Sequence, residues 1–251
     1  MILVLTYHKV RRAAEPEPGF YTIRAEQLER QLELLAHSGL LAASPEKLAA
    51  GEPPAQRSYL LTFDDGTADH YEVVLPLLAR FRARAVFFVP SARIGRSGYL
   101  TTQQIAEMSR GGQTIGLHSH EHRRMDCLSE EAARQQMSRS RQIIGELTGQ
   151  PPVFFAPVGG YVNRRLREIA LASGVRIIRT MRWGYNSKLD LASLQCIPVN
   201  RHFTEAQFAQ VLAFRRRSTM LYAAKEITKK VMPSRTYESL RRMVFGHSAH
   251  G

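Results

Sequence analysis

Two stretches of this chain hold side chains whose types and spacing suit hydrolysis at a metal ion. Thr62-Phe63-Asp64-Asp65-Gly66 ends an apolar run in adjacent carboxylates, and His118-Ser119-His120-Glu121-His122 gathers three imidazoles. Neighbouring carboxylates repel unless a cation lies between them or one takes a proton. Consecutive residues leaving a strand point in different directions, so one acid can bind a metal while the other accepts a proton from water. Two imidazoles and a carboxylate are a frequent ligand set for a divalent ion, leaving positions open for water and substrate. Plainer readings exist. Asp-Asp-Gly after a strand is ordinary turn and N-cap chemistry, and a histidine-rich loop can simply be polar.

The elements that must position these groups follow from periodicity. Apolar runs at 2–7, 58–63, 85–89, 113–117, 153–155, 175–178 and 195–199 read as strands. The spacing predicts helices over 24–38, 45–50, 71–81, 101–109, 129–147, 162–173 and 204–214, and a loop over 11–22. Ser44 and Ser129 stand where N-caps belong, and Thr101 with Gln104 and Thr204 with Gln207 have capping-box spacing. Strands alternating with helices predict an α/β fold with a mainly parallel sheet, open or closed. A single domain over 1–214 is expected, followed by a basic helical extension over 215–251.

On that map His8, Asp64 with Asp65, His118, and Pro157 with Gly159 and Gly160 each come just after a strand. The C-terminal edge of a parallel sheet is where active sites assemble. A metal ion held there would polarise a carbonyl, an aspartate would accept a proton from water, and a histidine would protonate a leaving amine. Backbone N–H groups near Gly159 and Gly160 could face an oxyanion, or the two glycines could make a turn.

The sequence resembles the polysaccharide deacetylases, the NodB-homology domain of carbohydrate esterase family 4. Thr62 to Gly66 matches the family's first motif, His118 to His122 its His-Ser/Thr-x-x-His second motif, and Phe155-Ala156-Pro157-Val158-Gly159-Gly160 loosely its third. The resemblance covers roughly residues 1 to 200. It implies a distorted, incomplete (β/α) barrel and removal of N-acetyl groups from a saccharide. It implies Asp64 as catalytic base, and Asp65, His118 and His122 as ligands of a divalent metal, usually Zn2+. His120 falls at a variable position. Two departures stand out. Ala156 occupies the place of an arginine that braces the base, and no late Leu-His motif supplies the acid. Leu5-Thr6-Tyr7-His8 resembles the N-terminal Tyr-His segment of a permuted branch, which implies His8 as general acid, with His202 the fallback. Pro157, Gly159, Gly160 and Trp183 are then substrate-binding candidates; Trp183 and Tyr185 could stack on a sugar ring or pack in the core. Two alternatives remain open: a deformylase or amidase acting on a lipid-linked amino sugar, and a catalytically silent saccharide-binding protein, which Ala156 would favour.

Composition sets outer limits. The 251 residues are 44% hydrophobic and 23% charged, as in soluble globular proteins. No run approaches about 18 apolar residues, so no membrane-spanning helix is expected. The first residues lack a basic region and a cleavage site, and the expectation is a cytoplasmic protein. Cys127 and Cys196 are expected as free thiols. The net charge is +13, and the last 38 residues hold nine Lys/Arg against two Glu. Helices expected over 218–231 and 234–245 could rest peripherally on anionic lipid at the inner face of the membrane, or pack on the barrel with a solvated basic face. Nucleic acid ranks last as a partner, since no recognition motif accompanies the charge.

Overall fold

The computed structural model describes residues 1–12 and 19–215. The basic extension, Arg215 apart, and with it the expected lipid-contacting helices, lies outside the described residues. The strands are β1 (Ile2–Tyr7), β2 (Val10–Arg11), β3 (Ile23–Arg24), β4 (Leu41–Ala42), β5 (Ser58–Phe63), β6 (Ala85–Val89), β7 (Thr114–Leu117), β8 (Phe154–Phe155), β9 (Ile177–Trp183) and β10 (Leu194–Pro198). The helices are α1 (Ala25–Ala36), α2 (Pro45–Ala49), α3 (Leu75–Arg80), α4 (Thr102–Arg110), α5 (Glu130–Thr148), α6 (Arg164–Ala172) and α7 (Glu205–Leu212).

Every named strand pairing is parallel, in the order β1-β10-β9-β8-β7-β6-β5-β4. β5 also pairs along its whole length with β1, from Ile2 opposite Ser58 to Tyr7 opposite Phe63. That pairing closes seven strands into a ring, with β4 appended to the start of β5. The result is the distorted (β/α) barrel expected, one strand short of eight. β2 and β3 form a separate two-residue ladder within and beside the expected loop.

The strands read as continuous apolar runs because both faces are covered. All six residues of β1 are buried. Alternate side chains separate into two cores. Ile2, Val4, Leu60, Val86, Phe88, Phe154, Ile177 and Cys196 fill the barrel interior. Leu3, Leu5, Tyr7, Leu61, Phe63 and Phe87 point out to the helices, where Leu28 and Leu32 of α1 and Leu78 of α3 meet them.

Both capping boxes form, at Thr101 with Gln104 and at Thr204 with Gln207. Ser44 caps α2 and Ser129 caps α5 through their side chains. Two expectations change. The helix expected over 71–81 opens as a π-helical segment, His70–Val74, before α3. The strand expected over 175–178 runs on to Trp183. Among the described residues no helix is long and apolar enough to cross a membrane. Cys127 and Cys196 are free thiols.

Candidate metal and catalytic centre

Alternation along the strands decides which side chains converge. Inward residues on β1 run Ile2, Val4, Thr6, so the next inward position is His8; on β5 they run Leu60, Thr62, Asp64. The Thr6 and Thr62 hydroxyls bond to each other at 2.9 Å inside the barrel. On β9, Ile177 is inward and so is Arg179. His118 continues the inward set past the end of β7, whose Ile115 and Leu117 face the helices.

Asp64 is 3% exposed and Arg179 1% exposed, and both carboxylate oxygens accept hydrogen bonds from Nη2 of Arg179. The guanidinium carbon also lies 5.1 Å from the centre of the Phe88 ring. Burial alone would raise the Asp64 carboxyl. The charges of Arg179, His118 and His8 outweigh it and hold the group below the usual carboxylate range. The bracing arginine missing at Ala156 is thus supplied from another strand. Ala156 serves through its backbone: its carbonyl accepts the Nδ1–H of His118 at 2.6 Å. That bond places a proton on Nδ1 and turns Nε2 toward Asp65.

Asp65, Ser119 and His122 all have left-handed backbones, with φ of 79°, 59° and 60°. Non-glycine residues adopt that region at a cost, and such outliers gather at functional sites. Here the turns bring Asp65 Oδ1 to 2.9 Å from His122 Nε2 and 3.4 Å from His118 Nε2. The three ligand atoms lie within 4.8 Å of one another. Ligands about 2.0–2.1 Å from a tetrahedral ion stand roughly 3.3 Å apart, so the spacing fits a metal held by these residues. Burial opposes ionisation of Asp65, but the hydrogen bonds from His118 and His122 outweigh it and hold its carboxyl well below the usual range. His118 shifts up despite its burial, through Asp65 and Asp64. Gly66 closes the first turn at φ 61°, where a Cβ would come within 3.0 Å of Val89.

His8 lies beside Asp64. Its Nε2 is 3.8 Å from Asp64 Oδ2, and its ring stacks on Tyr21 at 4.7 Å and 18°. Burial lowers its pKa, against the fields of Asp64 and Asp65. His120 points elsewhere: its Nδ1 meets the Ser91 hydroxyl at 2.8 Å. His202, the fallback acid, accepts a hydrogen bond from its neighbour Arg201 at 3.1 Å and lies beside Phe20.

Pro157 opens a turn over Val158–Gly160 after β8. The N–H of Gly160 donates to the Pro157 carbonyl at 2.8 Å, so it closes the turn instead of facing an oxyanion. Gly160 has φ 74°, and a Cβ there would lie 2.3 Å from Met181 of β9, so this position packs against the barrel. Trp183, partly buried, lies 6.3 Å from Phe203. Tyr185 donates to the Val211 carbonyl of α7 at 3.3 Å, which makes it a packing residue.

Sequence reasoning missed Arg179. Its signal was parity: two residues beyond the inward Ile177, an arginine in a strand must meet an anion or water.

A family profile described as polysaccharide deacetylase matches residues 51–178. The chain is 30% identical over 135 residues to a peptidoglycan-N-acetylglucosamine deacetylase of Bacillus cereus, covering 53% of this chain and 60% of that one. It is 24% identical over 169 residues to the polysaccharide deacetylase homologue YxkH of Bacillus subtilis, covering 65% of this chain and 59% of that one. The chain thus spans about 60% of the length of these relatives. The fold is similar to the deacetylase PplD of Streptococcus pyogenes, with TM-score 0.74, 23% identity, and 85% of this chain and 97% of that one covered. It is equally similar to IcaB from Ammonifex degensii, with TM-score 0.74, 24% identity, and coverage of 85% and 96%.

Proposed function

The chain belongs to the polysaccharide deacetylase family, and from that premise we propose that it removes N-acetyl groups from an N-acetylated saccharide or glycan precursor by metal-dependent hydrolysis. One observation carries the reading: three ligand atoms within 4.8 Å stand beside a buried carboxylate paired to a buried arginine. Asp65, His118 and His122 would hold a divalent ion, which would supply Lewis acidity to an amide carbonyl and lower the pKa of water; zinc suits this donor set.

The chain's own residues handle the protons. Asp64, kept ionised by Arg179, takes a proton from the attacking water. His8, whose Nε2 is 3.8 Å from Asp64, gives a proton to the amide nitrogen as the C–N bond breaks. One proton is taken and one given, and the products are a free amine and acetate. Pro157, Gly159, Gly160 and Trp183 are proposed saccharide contacts, and residues 1–214 the catalytic domain.

The silent-protein reading drew on Ala156, and it loses that support because Arg179 braces Asp64. A deformylase or amidase on a lipid-linked amino sugar would use the same side chains and differ in the acyl group released. The test is acetate and formate release from a panel of N-acylated oligosaccharides and glycolipids, with chelator and with zinc restored. We expect zinc-dependent acetate release. Formate release alone would replace this reading by the deformylase one. A zinc-loaded protein that releases neither acid from any of them would overturn both.

A further inference from the structure

The residues that follow the aspartate pair reach back to the segment that carries His8. Tyr7 ends β1 and β2 begins at Val10, so His8 and Lys9 lie between strands with no ladder of their own. Their backbone is nonetheless tied at successive positions. The Asp64 N–H donates to the Tyr7 carbonyl at 2.9 Å and the Ile23 N–H to the Lys9 carbonyl at 3.0 Å. The other two ties come from side chains. The His70 Nε2 meets the His8 carbonyl at 2.8 Å, and the Val10 N–H donates to Asp69 Oδ2 at 2.7 Å.

His70 sits in a place that an apolar residue would fill more cheaply. It is fully buried, with its ring against Phe63 at 5.6 Å and Phe87 at 5.5 Å. Its Nδ1 is buried without a hydrogen-bond partner. Burying an unpaired ring nitrogen is unfavourable, so the group that explains a histidine here is Nε2–H, donating to a carbonyl oxygen that can only accept. His70 also begins the π-helical segment, a departure from α-helix that recurs at functional sites.

We infer that Asp69 and His70 are positioning residues for His8, clamping the backbone on both sides of Lys9 so that the imidazole faces Asp64. The inference rests on the reading of His8 as general acid. It makes 64–70 a single device: Asp64 accepts the proton, Asp65 offers a metal ligand, and Asp69 with His70 fix the group that returns a proton. Because one segment holds all of these, the clamp and the aspartate that the His8 imidazole faces at 3.8 Å belong to the same stretch of chain.

The test uses zinc-loaded protein and acetate release from an N-acetylglucosamine oligosaccharide, with imidazole NMR of the protein as purified as a readout independent of turnover. His70→Leu keeps the volume and removes the donor; it should lower kcat by about 10- to 100-fold, as expected for a misplaced catalytic group, with KM and zinc content unchanged. His70→Gln, which can present an N–H near the same place, should recover most of kcat. In a His8→Ala background, His70→Leu should add no further loss. The His8 imidazole signals should move in His70→Leu and return in His70→Gln. Asp69→Ala and Asp69→Asn form a second pair of the same design, should His70→Leu fail to fold. If His8→Ala loses turnover while His70→Leu and Asp69→Ala keep kcat within about twofold and leave the His8 signals unmoved, the clamp is wrong and the acid assignment stands. If His8→Ala keeps its turnover, the acid assignment itself is wrong.

Discussion

Replacing Arg179 by methionine removes the charge from inside the barrel and keeps much of the side-chain volume. The Arg179 and Asp64 side chains are 1% and 4% exposed, so water cannot take over the role of the guanidinium. Breaking one partner out of a buried ion pair costs about 3–5 kcal/mol, because the remaining charge is left without compensation. For a domain of this size that corresponds to a fall in Tm of roughly 6–20 °C. The sign of the pH dependence follows from the same pair. Asp64 is ionised more readily in the folded protein than in the unfolded chain, so it contributes stability above the ordinary carboxylate pKa. That contribution is lost as pH falls through the lower, folded value. Burial, the largest single influence on Asp64, works in the opposite direction and is less opposed once Arg179 is gone. Arg179→Met should therefore be more unstable at neutral than at acid pH relative to wild type, and the acid limb of kcat/KM should move to higher pH. Thermal melts of chelated protein from acid to neutral pH, together with pH–rate profiles of the zinc form, measure both effects. Asp64→Asn in the Arg179→Met background should restore much of the lost stability, since it removes the stranded carboxylate. The reasoning is refuted if Arg179→Met melts within about 1 °C of wild type and its acid limb does not move, since loss of a buried pair predicts several kcal/mol.

Asp64→Asn alone should abolish turnover and leave bound zinc per chain at the wild-type level; loss of zinc instead would reverse the roles of Asp64 and Asp65. Asp65→Ala should lose zinc, measured by elemental analysis, and with it acetate release. His120→Ala should keep its zinc and stay within about twofold of wild-type kcat, because His120 bonds to Ser91 and not to the ligand group; a zinc-free His120→Ala would show a ligand that the geometry does not contain. Gly160→Ala should lower stability by about 1–3 kcal/mol in urea melts, since its Cβ would fall 2.3 Å from Met181.

Much of this protein is written locally. Apolar runs fixed the strands because both faces of a parallel barrel are covered, and all six residues of β1 are buried as its composition requires. Thr101 with Gln104 and Thr204 with Gln207 announced their helix starts because a capping box involves only residues three apart. One acid of the Asp64–Asp65 pair and the histidines at 118–122 were legible as a candidate ligand group from their types and their places after strands, and the family resemblance singled out Asp65, His118 and His122. The strand that holds Arg179 was cut short for the opposite reason. Local composition treats a charged residue as the end of a buried run, and only a partner can make it belong there.

That partner is 115 residues away in the chain, and no spacing rule reaches it. Closure of the ring did the work: β1 pairs with β5 and β9 with β10, so the inward positions of separate strands share one interior. The same closure turned Ala156 from a missing brace into a backbone acceptor for His118, and gave Asp64 its counter-ion from β9. Sequence determined which residues have the chemistry and which strand ends carry them. Tertiary structure decided which charge neutralises which, because a buried carboxylate is stabilised by whatever cation the fold brings within contact, however distant in the chain.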